Sequence, residues 1–327
     1  MNAQSRKEEQ RKWEAKPQQS RMEVIKRKQN LTVIDGVTYD AEGNNVTHLF
    51  DIVPIHQQQA ADNRARALQS IDELSTHHND NGGFVLAFFR QARTIVERFP
   101  TLTQADTGRL LFIGTFVTFN SGATQYGGRL QYDNGRRISK NQLQELCGMS
   151  RPRFSEFFKR LEAEGILSVD AATKDVYMNP SVIYRGEIKE IDAKVSDLEY
   201  TRIYRDTVRR LYEEFDGKQL KQLGLIYAVL PFISAQTNIV VTNPEEKDSD
   251  RLRPMNVRTL AMILEYDAPQ KLKTALNAVK LDGKPVFLFA DDPFDRREKR
   301  IVVNPRVVFR GNNEALQAIN VLFNRSN

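Results

Sequence analysis

One octapeptide occurs twice in this chain. Asn179-Pro180-Ser181-Val182-Ile183-Tyr184-Arg185-Gly186 returns as Asn304-Pro305-Arg306-Val307-Val308-Phe309-Arg310-Gly311. Five of the eight positions are identical, and Ile183/Val308 and Tyr184/Phe309 match in kind. A β-branched strand pattern precedes each copy, Val176-Tyr177-Met178 and Ile301-Val302-Val303, and a helical stretch with a turn in its middle precedes each strand. The two copies start 125 positions apart, the length of a domain, so the repeat constrains the architecture before any side-chain chemistry does.

Copy one runs from about Phe84 to Gly186 and copy two from about Leu198 to Gly311. Phe88-Phe89-Arg90 answers Ile203-Tyr204-Arg205, Val96-Glu97-Arg98-Phe99 answers Tyr212-Glu213-Glu214-Phe215, and Leu110-Leu111-Phe112-Ile113 answers Leu223-Gly224-Leu225-Ile226. Each unit is expected to open with an amphipathic helix, followed by an almost wholly apolar helix, a polar turn region, a helix pair and a strand pair. That order is the order of a winged helix. The expected fold class is therefore α+β, mainly α, with two tandem winged-helix (helix-turn-helix) domains and a flexible basic N-terminal arm. Residues 1–82 form the arm, a hairpin and a linker, 84–186 domain 1, 187–197 a connector, 198–311 domain 2, and 312–327 a C-terminal helix or tail.

Residues 1–30 hold nine Lys/Arg against four Glu and almost no apolar residues, which reads as a solvated arm. Val33 to Tyr39 and Asn45 to Phe50 flank the Gly-bearing turn 40–44, a hairpin pattern. Residues 51–82 are rich in Gln, His and Asn and read as a linker with at most one short helix. Polar residues between Ile233 and Met255 read as a loop or hairpin inserted in domain 2. In the connector, Ile188, Ile191, Val195 and Leu198 have helical spacing, suited to packing on their own domain. The alternative is coupling of the domains or support of a homodimer.

In copy one, Ser139 and Gln142 make a capping box, and Leu143, Leu146 and Cys147 face inward. Gly148 takes the left-handed turn position, Met149 plugs the helix angle, and Ser150 caps a second helix with Pro152 in its first turn. Phe154, Phe157, Phe158 and Leu161 fall on one face of that helix, leaving Arg151, Arg153, Ser155, Glu156, Lys159 and Arg160 on the other. A helix entering a major groove by its N-terminal turn would present Arg151, Arg153 and Ser155 to base edges. Lys159, Arg160 and Lys174, in the following hairpin turn, suit phosphates. In copy two, Asn256 or Thr259 caps the first helix and Asp267 the second, with Leu272, Leu276 and Val279 inward. Gln270, Lys271, Lys273, Thr274, Asn277 and Lys280 face out, and Arg296, Arg297, Lys299 and Arg300 stand in the wing. The competing reading of both faces is a set of solvated charges that touch no ligand.

The signature of a strand, Asn-Pro, two apolar residues and Arg-Gly resembles the plasmid replication initiators of the RepL type, as does the early stretch from Val33 through Val46. Two tandem winged helices are also similar to the iteron-binding plasmid initiators. The resemblance implies binding at a replication origin, with repression of the chain's own promoter. The signature itself suits a structural role: Asn179 caps a strand end, Pro180 stiffens the exit, and Arg185 pairs with a carbonyl or an acid.

Bulk properties agree with such a partner. Net charge is +6, which favours a polyanion. Hydrophobic content of 40% suffices for real cores, and no run of 18 apolar residues occurs, so no membrane span is expected. The first nine residues lead into no apolar core and do not read as a signal peptide. One cysteine, Cys147, excludes internal disulfides and suits a cytoplasmic location. No GxxxxGK[ST] loop is present, and His48, His56, His77 and His78 have no metal-ligand spacing, so neither an ATPase nor a metal nickase is expected. The expectation is a non-enzymatic, cofactor-free protein that binds double-stranded DNA at an origin, with host replication proteins and a second copy as further partners. A transcription regulator at an operator and a winged-helix protein adaptor are the alternatives.

Overall fold

Asp40 organises the first turn: its Oδ1 accepts the backbone N–H groups of Glu42 and Asn44 at 3.1 and 2.7 Å. Strands β1 (Thr32–Ile34) and β2 (Val37–Tyr39) pair antiparallel, and Tyr39 bridges to Asn45 across the expected turn. The computed structural model describes residues 31–34, 37–47, 55–120, 128–191, 194–215, 219–291 and 299–325. The basic arm thus lies outside the described residues. The chain divides into two compact units, Met1–Leu68 and Gln69–Asn327.

The expected linker is instead a helix of 26 residues, α1 (Ile55–Asp80). Its Gln, Ala, Arg, Leu and Glu residues are good helix formers, and neither Gly nor Pro interrupts it before Gly82. Its polar composition hid it. In the second unit, Glu73 accepts from Asn313 Nδ2 at 2.7 Å, and His78 Nδ1 lies 2.9 Å from the Tyr204 hydroxyl.

The opening of copy one is a strand, β3 (Phe84–Phe89), not an amphipathic helix. Six consecutive apolar residues have no polar face to give a helix, and five are buried, as in a strand covered on both sides. Then come α2 (Ile95–Arg98) and α3 (Gln104–Gly114), each begun by a capping box, Thr94 with Glu97 and Thr103 with Asp106. Next follow α4 (Lys140–Leu146), capped by Ser139, and α5 (Arg151–Ala163). The hairpin β4 (Leu167–Val169) and β5 (Val176–Met178) gains a third member where Leu130 N–H donates to Val176 O at 2.8 Å. Copy one ends in β6 (Ile183–Tyr184).

Copy two repeats the order: β7 (Glu199–Tyr204), α6 (Arg205–Glu214), α7 (Leu220–Val229), α8 (Val257–Ile263) and α9 (Pro269–Asn277). A small ladder, β8 (Lys280–Leu281) with β9 (Lys284–Pro285), precedes the hairpin β10 (Phe287–Asp291) and β11 (Lys299–Val303). β12 (Val308–Phe309) and α10 (Asn313–Arg325) close the described chain. Part of the expected inserted loop is the counterpart of the Leu130 strand: Val240 N–H donates to Ile301 O at 2.9 Å. The α9 N-cap is Ala268, not Asp267, whose carboxylate binds Lys271 Nζ at 2.9 Å.

The copies share one sheet, in the order β12-β7-β3-β6. Ala87 pairs with Ile183, and Ile203 with Val308, so positions 87 and 203 are equivalent. The same interval of 116 separates the helix N-caps Thr103 and Gln219, and Gly108 from Gly224. The match of Leu110 with Leu223 is therefore out of register by three; Leu110 corresponds to Ile226. Leu86 and Arg202, equivalent by this interval, pair directly with each other at the centre of the sheet. Equivalent residues that meet lie on a local two-fold axis, and Gly108 meets Gly224 on it again where α3 crosses α7. One hydrophobic core runs through both copies.

The signature is a fastening. Asn179 Oδ1 accepts from Ser181 N–H at 3.0 Å and Asn304 Oδ1 from Arg306 N–H at 2.9 Å. Their amides reach back to Gly165 O and Pro285 O. Each Asn thus ties its hairpin to the strand entering the shared sheet, which is why both copies keep it. Among the described residues of the connector, Ile188–Glu190 forms a helical turn, and Ile191, Val195 and Leu198 pack against Leu86, Phe88 and Tyr184. No helix among the described residues is long and apolar enough to cross a membrane.

Candidate nucleic-acid interface

The helix pair α4–α5 is held by a turn with the expected parts. Gly148 sits at φ +61°, Met149 packs on the core, and Ser150 is the N-cap of α5, without a side-chain capping bond. Phe154, Phe157, Phe158 and Leu161 are buried, which forces the remaining face of α5 outward. Arg151, Arg153, Ser155, Glu156 and Lys159 are exposed, and Arg151, Arg153 and Lys159 form no ion pair among the described residues.

Arg160 is placed differently. Its Nε and Nη2 bind Asp106 Oδ2 at 3.1 and 3.0 Å. Asp106 is 1% exposed, and its other oxygen lies 3.5 Å from Arg109. Arg160 is committed to neutralising a buried carboxylate, so it is less available to a phosphate than Lys159, one position before it. Lys174 is exposed at the β4–β5 tip with φ +61°, in a turn organised by Asp170, whose Oδ1 accepts from Thr173 N–H at 2.6 Å.

Copy two presents a more neutral face. Gln270, Lys271, Thr274 and Asn277 are exposed on α9. Lys271 is paired with Asp267, and Lys273 lies over the Phe289 ring at 5.7 Å. Lys299 pairs with Asp291 across β10–β11. Arg296 and Arg297 lie outside the described residues. Buried Leu272 and Leu276 align with Phe154 and Phe158, so Lys271 takes the place of Arg153, Lys273 that of Ser155, and Asn277 that of Lys159.

A second basic group escaped the reading of the sequence. Arg205 and Arg209 of α6 both bind Asp133, and each also donates to Thr115 O, at 2.8 and 2.9 Å. Arg185 lines the same pocket of about 250 Å³, where burial depresses its pKa. The Arg209 hydrogen bond, joined by Arg205, holds the Asp133 carboxyl at about 2. This group clamps copy two onto copy one. The available signal was the i,i+4 spacing of Arg205 and Arg209 on one helix face.

Burial pushes the Cys147 thiol up to about 12, leaving it un-ionised at neutral pH. The chain matches no protein-family model, and no curated protein or solved structure is significantly similar to it.

Proposed function

We propose that the chain is a sequence-specific double-stranded-DNA-binding protein built on two winged helices, acting as a plasmid or phage replication initiator at its origin. The observation that carries DNA binding is the outer face of α5, where Arg151, Arg153 and Lys159 are exposed and free of ion pairs among the described residues. Arg153 and Arg151 read bases from the helix N-terminal turn, and Lys159 and Lys174 hold phosphates. The initiator role rests on the RepL-like signature. The local two-fold axis turns α9 against α5, so the two helices address half-sites of opposite polarity. Because Lys271 stands in the place of Arg153 and Asn277 in that of Lys159, those half-sites differ in sequence.

The neutralised cations of copy two favour a second reading for that half: a protein-binding surface for replication or transcription machinery. Footprinting the full chain on the DNA flanking its gene tests both. Two protected half-sites in inverted order support two-handed DNA binding. A single protected segment assigns copy two to a protein, and no protection at low salt removes the DNA reading. Replication of a plasmid carrying only this gene and its flanks then separates an initiator from an operator-binding regulator.

A further inference from the structure

The two copies differ where α2 and α6, which are equivalent, meet the neighbouring helices. In copy two the Tyr212 ring stacks on Phe112 at 3.8 Å and 6°, and its hydroxyl donates to Cys147 O at 2.9 Å. The interval of 116 carries Tyr212 to Val96 and Phe112 to Ala228. The cap Ser139 corresponds to Asn256, so Cys147 corresponds to Leu264. Val96, Ala228 and Leu264 all line one cleft of about 540 Å³. The cleft therefore lies where the two-fold mate of a stacked aromatic pair would be, with both rings cut back to small side chains.

Other lining residues have changed in the same direction. Gln104 and Thr107 stand where the filled site has Leu220 and Leu223; the Gln104 amide is held by the Tyr266 hydroxyl at 3.1 Å and the Thr107 hydroxyl donates to Gln104 O at 2.8 Å, so these polar groups are fixed in place. Glu265 occupies the place of Gly148 and keeps its left-handed backbone, at φ +56°. A glutamate held there costs energy that glycine would not. Truncated rings, added polar groups and a strained acid together describe a pocket of ligand size, mostly apolar with a few directed polar atoms.

We propose that this cleft binds a small planar aromatic molecule bearing a hydrogen-bond donor, of the phenol class. Its ring takes the position of the missing Tyr212 equivalent, and its donor addresses the Leu264 carbonyl as Tyr212 addresses that of Cys147. This site is separate from the α5 face and does not depend on the DNA reading.

The test uses the full chain and p-cresol, with 4-methylcyclohexanol as the non-planar control, followed by saturation-transfer NMR. The expected result is p-cresol binding at least tenfold tighter than the control. Val96→Tyr restores the internal phenol and is expected to weaken p-cresol at least tenfold while raising the thermal midpoint. Val96 is 58% exposed, so this change threatens folding little. Ala228→Phe, filling the cleft from its floor, is expected to weaken p-cresol likewise. Equal binding of the two probes, no binding, or undiminished p-cresol binding to folded Val96→Tyr each overturns the proposal. So does a tyrosine-containing peptide that binds where p-cresol does not, since the occupant is then a partner's side chain.

Discussion

Gly108 and Gly224 face each other where the two most apolar helices cross. A Cβ on Gly224 would lie 1.9 Å from Gln104 O, and one on Gly108 would lie 2.6 Å from Leu220 O. Both obstacles are backbone, which no rotamer change relieves. Gly224→Ala is expected to destabilise the protein by about 1–3 kcal/mol, the usual range of overpacked cores. Because both copies share this crossing, one cooperative denaturant transition is expected, shifted as a whole. Two separate transitions, with only one displaced, would contradict a common core.

Lys159 and Arg160 are neighbours with different tasks. Arg160→Ala leaves the buried Asp106 with Arg109 as its one cation beside the Thr103 N–H, and is expected to cost about 2–4 kcal/mol in urea titrations. Lys159→Ala is expected to leave stability within about 0.5 kcal/mol and to lower the salt slope of DNA binding by about one. Lys271→Ala is expected to change that slope less, because Asp267 already neutralises its charge. A slope unmoved by Lys159→Ala removes that residue from the phosphate contacts.

His78 makes stability depend on pH. Burial, with the Arg202 and His77 charges beside it, pushes its imidazole down to about 4 from 6.5. A depressed folded pKa means that the unfolded chain binds the proton first. The contribution is therefore complete above pH 6.5 and is lost as pH falls toward 4. His77 shifts the same way, through burial first. His78→Gln is expected to flatten the stability profile between pH 6.5 and 4, measured by denaturant midpoints across that window. An unchanged slope would place the titrating group elsewhere.

Glu265→Gly returns copy two to the turn that copy one uses. Relief of the left-handed glutamate, offset by the greater freedom of glycine in the unfolded chain, is expected to stabilise by about 0.5–1 kcal/mol. Calorimetry of the variant measures this directly, and a loss of stability would mean that Glu265 makes compensating contacts.

Much of the fold was legible because it is written in periodicity and caps. Ser139 with Gln142, Pro152 and the phenylalanine spacing located α4 and α5, and the Asn-Pro signature located both hairpin ends. The misses have physical causes. Phe84–Phe89 is apolar on every side, and such a run is a strand only because β6 and β7 flank it, a fact of tertiary structure. α1 is mostly polar, and a stretch rich in Gln, His and Asn has the composition of a linker as well as of a solvated helix. The Asp106–Arg160 pair spans 54 positions and the clamp on Asp133 spans 72 and 76, separations at which no local pattern exists. On the interface, sequence spacing separated inner from outer faces but not a spare cation from an engaged one.

The antiparallel union of β3 with β7 makes each half the cover of the other. A half on its own would bare a ladder of unsatisfied amides and an oily helix. Joining the halves in one chain frees them from the identity that two subunits of a homodimer must share. One half carries Tyr212 in a stacked pair, and the other has Val96 and a hollow.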